Sequence, residues 1–161
     1  MGCKFCASTG IAFVRSLSSG EIVEQLLAVE QDENIKISNV VFMGIGEPMD
    51  NYDNVVNAIR IINNPKGINI GARHISVSTS GIVPRIYQLA EENIQCTLSI
   101  SLHATTDEKR SSMMPVNNRY NLEELLQACK DYTAKTNRRI SFEYALAKDN
   151  NDNIEDAKRL V

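Results

Sequence analysis

The sequence has no tryptophan, two histidines, four cysteines and four prolines, and aromatic residues make up 6% of its 161 positions. Four cysteines cannot staple a domain of this length, which excludes a disulfide scaffold. The longest apolar runs, Ile11–Val14 and Val40–Met43, fall far short of the roughly 18 residues that a membrane-spanning helix needs. An excess of positive charge is missing as well. Seventeen Lys and Arg against 20 Asp and Glu give a net charge of −3 and a pI near 5.4, the wrong sign for a chain that grips nucleic acid by bulk electrostatics. The first residues lack the basic-then-apolar pattern of an export signal, and Cys6 stands where myristoylation requires Ser or Thr, so the expected location is cytoplasmic. What is present, 43% hydrophobic and 23% charged residues, is the balance of one globular unit, since a domain takes about 100–200 residues.

Apolar, β-branched runs occur at Ile37–Met43, His74–Val77, Cys96–Ile100 and Ile140–Leu146, each bounded by turn residues, and predict buried strands. Between them, Gly20–Glu33, Asn54–Ile62, Val83–Glu91 and Leu122–Tyr132 carry apolar residues at helical spacing, such as Ile22, Val23, Leu26 and Leu27 in the first. Alternation of this kind predicts an α/β fold with a parallel sheet or barrel. No linker, repeat or low-complexity tract divides residues 1–161. Asp152–Val161 reads as a helix that stops as it begins, and a cysteine pair opens the chain, so a segment cut at both ends is expected.

In parallel α/β folds, ligands sit at the carboxyl ends of the strands, where loops and helix N-termini present backbone N–H groups. The residues just past each predicted strand are Gly44-Ile45-Gly46-Glu47-Pro48, Ser78-Thr79-Ser80-Gly81, Ser101-Leu102-His103-Ala104 and Glu143-Tyr144. Small, hydroxylic or ionisable side chains recur at the same end four times, which points to a composite site. Each also has a plainer reading. The glycines suit a turn of positive φ, Glu47 suits a helix start, Ser78 and Ser80 suit caps, and His103 suits a satisfied structural histidine. The hydroxyls beside Gly81 equally suit a ribose or a carboxylate. His74, at the opposite end of its strand, is read as structural.

Cys3-Lys4-Phe5-Cys6 fits three chemistries. A redox pair would follow a strand, a zinc site needs two more soft ligands, and an iron–sulfur cluster needs at least one more cysteine nearby. Cys96 and Cys129 fall within a strand and a helical stripe and read as core sulfurs.

Taken with its neighbours, Gly2-Cys3-Lys4-Phe5-Cys6-Ala7-Ser8-Thr9 resembles the end of the Cys-x-x-x-Cys-x-x-Cys signature of radical S-adenosylmethionine (SAM) enzymes, specifically the RlmN group of RNA adenine methyltransferases. The likeness continues through Val14-Arg15-Ser16-Leu17, Met43–Pro48, Gly71–His74, Ser78–Gly81, Ile100–Ala104, Met114–Asn117 and Ser141–Tyr144. It implies part of a (βα)6 partial barrel whose first and last strands are absent. It implies a 4Fe-4S cluster with Cys3 and Cys6 as its second and third ligands, the first lying before Met1. Gly46 and Glu47 would hold the SAM amino group, and Ser78, Ser101, Leu102 and His103 would contact the rest of the cofactor. The implied reaction methylates C2 of adenosine in 23S ribosomal RNA, with tRNA a second substrate class, through a methylated cysteine and with electrons from a donor protein. Neither Cys96 nor Cys129 matches a catalytic cysteine of the family, so no catalytic residue is assigned and the 161-residue chain is expected to be inactive by itself. The alternatives are a Cfr-like enzyme that methylates C8, and a zinc half-site completed by a second chain. Arg15, Lys109, Arg110, Arg119, Arg138 and Arg139 are read as solvated surface charges, with RNA contact as the alternative.

Overall fold

Ile75-Ser76-Val77-Ser78-Thr79 and Thr97-Leu98-Ser99-Ile100-Ser101 alternate aliphatic and hydroxyl residues, and because successive side chains of a strand point to opposite faces, such strands build a sheet with one apolar and one polar face. A computed structural model describing residues 1–161 shows this sheet. Its strands are β1 (Val40–Phe42), β2 (Ile75–Thr79), β3 (Thr97–Ser101) and β4 (Ile140–Glu143), all parallel and adjacent in chain order. Registers pair Val41 with Ser76, Val77 with Leu98, Ser78 with Ser99, Ser99 with Ser141, and Ser101 with Glu143. One face therefore carries Ile75, Val77, Leu98 and Ile100, all fully buried. The other carries Ser76, Ser78, Thr97, Ser99, Ser101, Ser141 and Glu143. The buried strands expected from the sequence are found, and on the polar face Ser78 and Ser99 are buried as well.

The helices are α1 (Ser19–Glu33), α2 (Tyr52–Asn63), α3 (Val83–Glu91), α4 (Asp107–Met113), α5 (Leu122–Thr136) and α6 (Ile154–Arg159). Ser18 and Glu21 form a capping box that starts α1, and Asn121 and Glu124 form another that starts α5, each satisfying backbone donors that a helix N-terminus leaves free. Asn34 and Asn137 end the same two helices in the left-handed region, a conformation that asparagine tolerates better than most residues. Ile59 and Ile62 of α2, Ile86 and Leu89 of α3, and Leu125 and Ala128 of α5 close over the apolar sheet face in one core.

The alternation, the parallel sheet and five of the helices agree with the sequence reading; β1 and β4 are shorter than expected, β2 runs on to Thr79, and β3 is shifted by one residue. Only three residues of the first run find partners on β2, and β4 stops at Glu143 because Tyr144–Asn151 fold back. Leu27, placed in the apolar stripe of α1, is exposed, while Ile22 and Val23 are buried. Helix α4, Asp-Glu-Lys-Arg-Ser-Ser-Met, has no apolar stripe and left no periodic signal; it is started by the Thr106 side chain, which accepts from the Lys109 N–H. No helix is long and apolar enough to cross a membrane.

Candidate active site

The carboxyl ends of β1 and β2 are joined by Glu47. Past β1 the chain turns through Gly46 at φ +94°, where an added Cβ would meet open space, so glycine is required there by conformation and not by crowding. Glu47 then caps the short 3-10 helix Pro48–Asn51: one carboxylate oxygen accepts from Met49 N (3.0 Å), and the other accepts from both Ser80 N and Ser80 Oγ (2.8 Å each). The helix-start reading of Glu47 is thus correct but incomplete, because the same carboxylate fastens the β1 loop to the β2 loop. A carboxylate offers about four acceptor positions, so one remains for a ligand donor.

Glu143 makes the corresponding link between β2, β3 and β4. Ser78 Oγ donates to both of its oxygens (3.2 Å) and Ser101 Oγ to one of them (3.2 Å). Its backbone carbonyl accepts from Leu102 N (3.0 Å) and His103 N (3.2 Å).

His103 is buried with φ +55°. Its Nδ1 accepts from Ala145 N (3.0 Å), and its carbonyl accepts from Asn151 Nδ2 (2.7 Å). Burial, and secondarily the Arg110 charge, lower its pKa from the usual 6.5, so the ring is neutral with Nδ1 free of a proton. Asn151, 1% exposed, also donates to Ala145 O (2.8 Å) and accepts from Ala147 N (2.6 Å), which fixes the whole Tyr144–Asn151 turn.

The cysteine segment is brought to the same place. Lys4 N donates to Met113 O (2.9 Å), Cys3 packs against Met113, Met114 and Val116, and Phe5 meets the His103 ring edge-on at 4.7 Å between centroids. Thr9 Oγ1 donates to Cys3 O (2.6 Å), and Cys6 N and Thr9 N complete successive turns. The two thiols differ. Burial raises the pKa of Cys3, while the Ser8 hydroxyl, 3.0 Å from Cys6 Sγ, lowers that of exposed Cys6. Cys6 is therefore the more readily ionised of the pair.

Arg110 corrects the sequence reading outright. It is fully buried and is neither a solvated charge nor available to RNA. Its guanidinium donates to Leu102 O (3.2 Å), Asn117 Oδ1 (3.1 Å), Ser80 O (2.6 Å) and Ser101 O (3.0 Å), clamping the loops after β2 and β3 from behind. Lys109 is also engaged, paired with buried Asp156, which accepts from Thr105 and Arg159 as well. Arg15 pairs with Glu21. His74 lies at the other end of β2 with Nδ1 3.0 Å from Asn39 Oδ1, in keeping with a structural role. Cys96 and Cys129 are buried in the core as expected.

A composite site formed by loops after successive parallel strands, with a cysteine pair folded over it, is matched along its whole length. The family model described as "Radical SAM superfamily" covers residues 1–161. The chain belongs to the radical SAM superfamily. Among curated proteins it is 58% identical over 160 residues to the probable dual-specificity RNA methyltransferase RlmN of Clostridium acetobutylicum, and 56% identical over 160 residues to the protein of that name from Clostridium beijerinckii. Each alignment takes in 99% of this chain, and 46% and 45% of those proteins. A solved radical SAM methyltransferase from Sphaerobacter thermophilus superposes with a TM-score of 0.94 at 43% identity, over 99% of this chain and 48% of that one. The chain thus spans about half the length of the relatives it matches, and its four-strand parallel sheet is that of a radical SAM partial barrel.

Radical SAM proteins take a 4Fe-4S cluster and SAM. The chemistry of the residues present fits such a cluster as far as two thiols, since Cys3 and Cys6 share one turn at the strand ends while Cys96 and Cys129 lie in the core. No group of three or more His, Cys, Asp or Glu side chains stands together. Membership of this family leaves the zinc half-site without support. Phe5, Arg110 and Asn151 were site residues that sequence reasoning missed, whereas Glu143 stood among the strand-end residues expected to form the composite site.

Proposed function

We propose that this chain is the cluster- and SAM-binding core of an RlmN-type enzyme that methylates C2 of adenosine in 23S ribosomal RNA and in tRNA. The observation that carries this reading is 58% identity to a named RlmN along essentially the whole chain, with the matched motifs converging at one end of one sheet. Cys3 and Cys6 hold two irons of the cluster. Glu47 uses its remaining acceptor position for the SAM ammonium beside the open backbone of Gly46, and Ser78, Ser101, Leu102 and His103 line the rest of the cofactor. When bound, the cluster supplies the electron for reductive cleavage of SAM, delivered by an electron-donor protein. The protein's own work is to bind and orient the cofactor, and the buried Arg110 and Asn151 keep the β2, β3 and β4 loops in place for it.

The methyl-carrying cysteine of this reaction is neither Cys96 nor Cys129. Both are buried with thiol pKa values pushed up to about 11 by desolvation, and a thiol in that state is inert. The 161-residue chain by itself therefore transfers no methyl group to RNA. The test is anaerobic reconstitution with iron and sulfide. The chain becomes brown and binds SAM, Cys3→Ala and Cys6→Ala each lower the bound iron, and no methyladenosine forms. A colourless protein that binds zinc instead sinks the reading. Mass analysis of RNA treated with the corresponding full-length protein distinguishes C2 from C8 methylation.

A further inference from the structure

Three serine hydroxyls at the mouth of the sheet donate to carboxylates. Ser78 Oγ and Ser101 Oγ donate to Glu143, and Ser80 Oγ donates to Glu47. A serine hydroxyl has one proton and two lone pairs, whereas an ionised carboxylate has only lone pairs. The direction of these bonds is consequently fixed. We infer that Glu143 is a positioning residue that sets the polarity of Ser78 and Ser101: it accepts their hydroxyl hydrogen bonds, so they offer a ligand lone pairs alone, accepting from hydroxyl or ammonium groups and disfavouring carboxylates and phosphates.

The two bonds from Ser78 and the one from Ser101 are 3.2 Å long, against about 2.7–2.8 Å for a well-made O–H···O bond. These three bonds use three of the about four acceptor positions of the Glu143 carboxylate. The arrangement is anchored on three strands. Ser101 and Glu143 are register partners, and Ser78 pairs with Ser99 on the same face. The Glu143 main chain also fixes Leu102 and His103 through their N–H groups, so one residue orients four positions of the site. The buried Arg110 directs its hydrogen bonds at carbonyl and amide oxygens of the loops. Of the ribose and the carboxylate that the sequence left open for this segment, the bond directions select the ribose or an ammonium.

This inference rests on the proposed cofactor reading, and the test separates the two. The probes are 5′-methylthioadenosine, which has a diol and no ammonium; its 2′,3′-dideoxy counterpart; L-methionine; and 4-methylthiobutanoate, which lacks the ammonium. The chain prefers the first over the second if the donor is the diol, or the third over the fourth if it is the ammonium, by about five- to tenfold, the worth of one net hydrogen bond. In Glu143→Gln, whose amide can donate to a serine oxygen, that preference falls below about twofold. Ser78→Ala abolishes part of it while leaving the carboxylate intact, which keeps the idea testable if the Gln variant melts early. A preference undiminished in both variants overturns the inference alone, with SAM still bound. Failure of the unaltered chain to bind SAM or any probe overturns the proposed function together with it.

Discussion

Replacing Arg110 by Met removes the clamp behind the site while keeping a long apolar stem in its place. Four hydrogen bonds leave with the guanidinium. At about 1.5–3 kcal/mol for each bond to a charged group, their gross worth is roughly 6–12 kcal/mol. Against this stands the cost of burying the cation, several kcal/mol in a real protein interior. That cost shows in the arginine itself, whose pKa burial lowers to about 10, still high enough to keep it charged at neutral pH. The net loss is about 3–5 kcal/mol, the range for removing one partner of a buried polar cluster. For a domain of this size each kcal/mol moves the melting temperature by about 2–4 °C, so Arg110→Met melts roughly 6–20 °C below the unaltered chain by circular dichroism. Arg110→Lys retains the charge but has one nitrogen, which cannot reach four acceptors spread over Leu102, Ser80, Ser101 and Asn117. It recovers less than half of the loss. A melting point for Arg110→Met within about 2 °C of the original would refute the clamp, and full recovery by Lys would show that charge alone matters.

Asn151→Ala leaves the carbonyls of His103 and Ala145 and the N–H of Ala147 without their partner and destabilises by about 2–3 kcal/mol; hydrogen exchange at Ala145 and Ala147 rises first, and unchanged exchange there would contradict the role assigned to Asn151. Because His103 has a folded-state pKa below its ordinary 6.5, the unfolded chain takes up the proton first on acidification. The stability linked to neutral His103 is thus complete above pH 6.5 and is lost as the pH falls below it, when protonation at Nδ1 also breaks the bond from Ala145 N. Denaturant titrations from pH 7.5 to 5 show this slope, and His103→Gln flattens it; an equal slope in both proteins counts against it.

Reading order and chemistry from the chain alone worked where the signal is local. The alternation of strands and helices is carried by apolar spacing, and the cysteine pair, Gly46, Glu47 and the serines stand beside strand ends in sequence as they do in space. Signals failed where partners are far apart. Arg110 looks like any charged residue in Asp-Glu-Lys-Arg-Ser-Ser, because nothing nearby in sequence reveals that its donors meet carbonyls of Ser80 and Ser101. The contact of Phe5 with His103 spans nearly a hundred positions and has no periodicity to betray it.

The sequence by itself determined the layer order, the parallel sheet and the set of residue types at the strand ends, since hydrophobic period and turn chemistry are properties of short segments. Only the tertiary structure decided which hydroxyl faces which carboxylate. Strand register places Ser101 beside Glu143 and folding brings Ser80 to Glu47, so these hydrogen bonds exist only once the strands are paired.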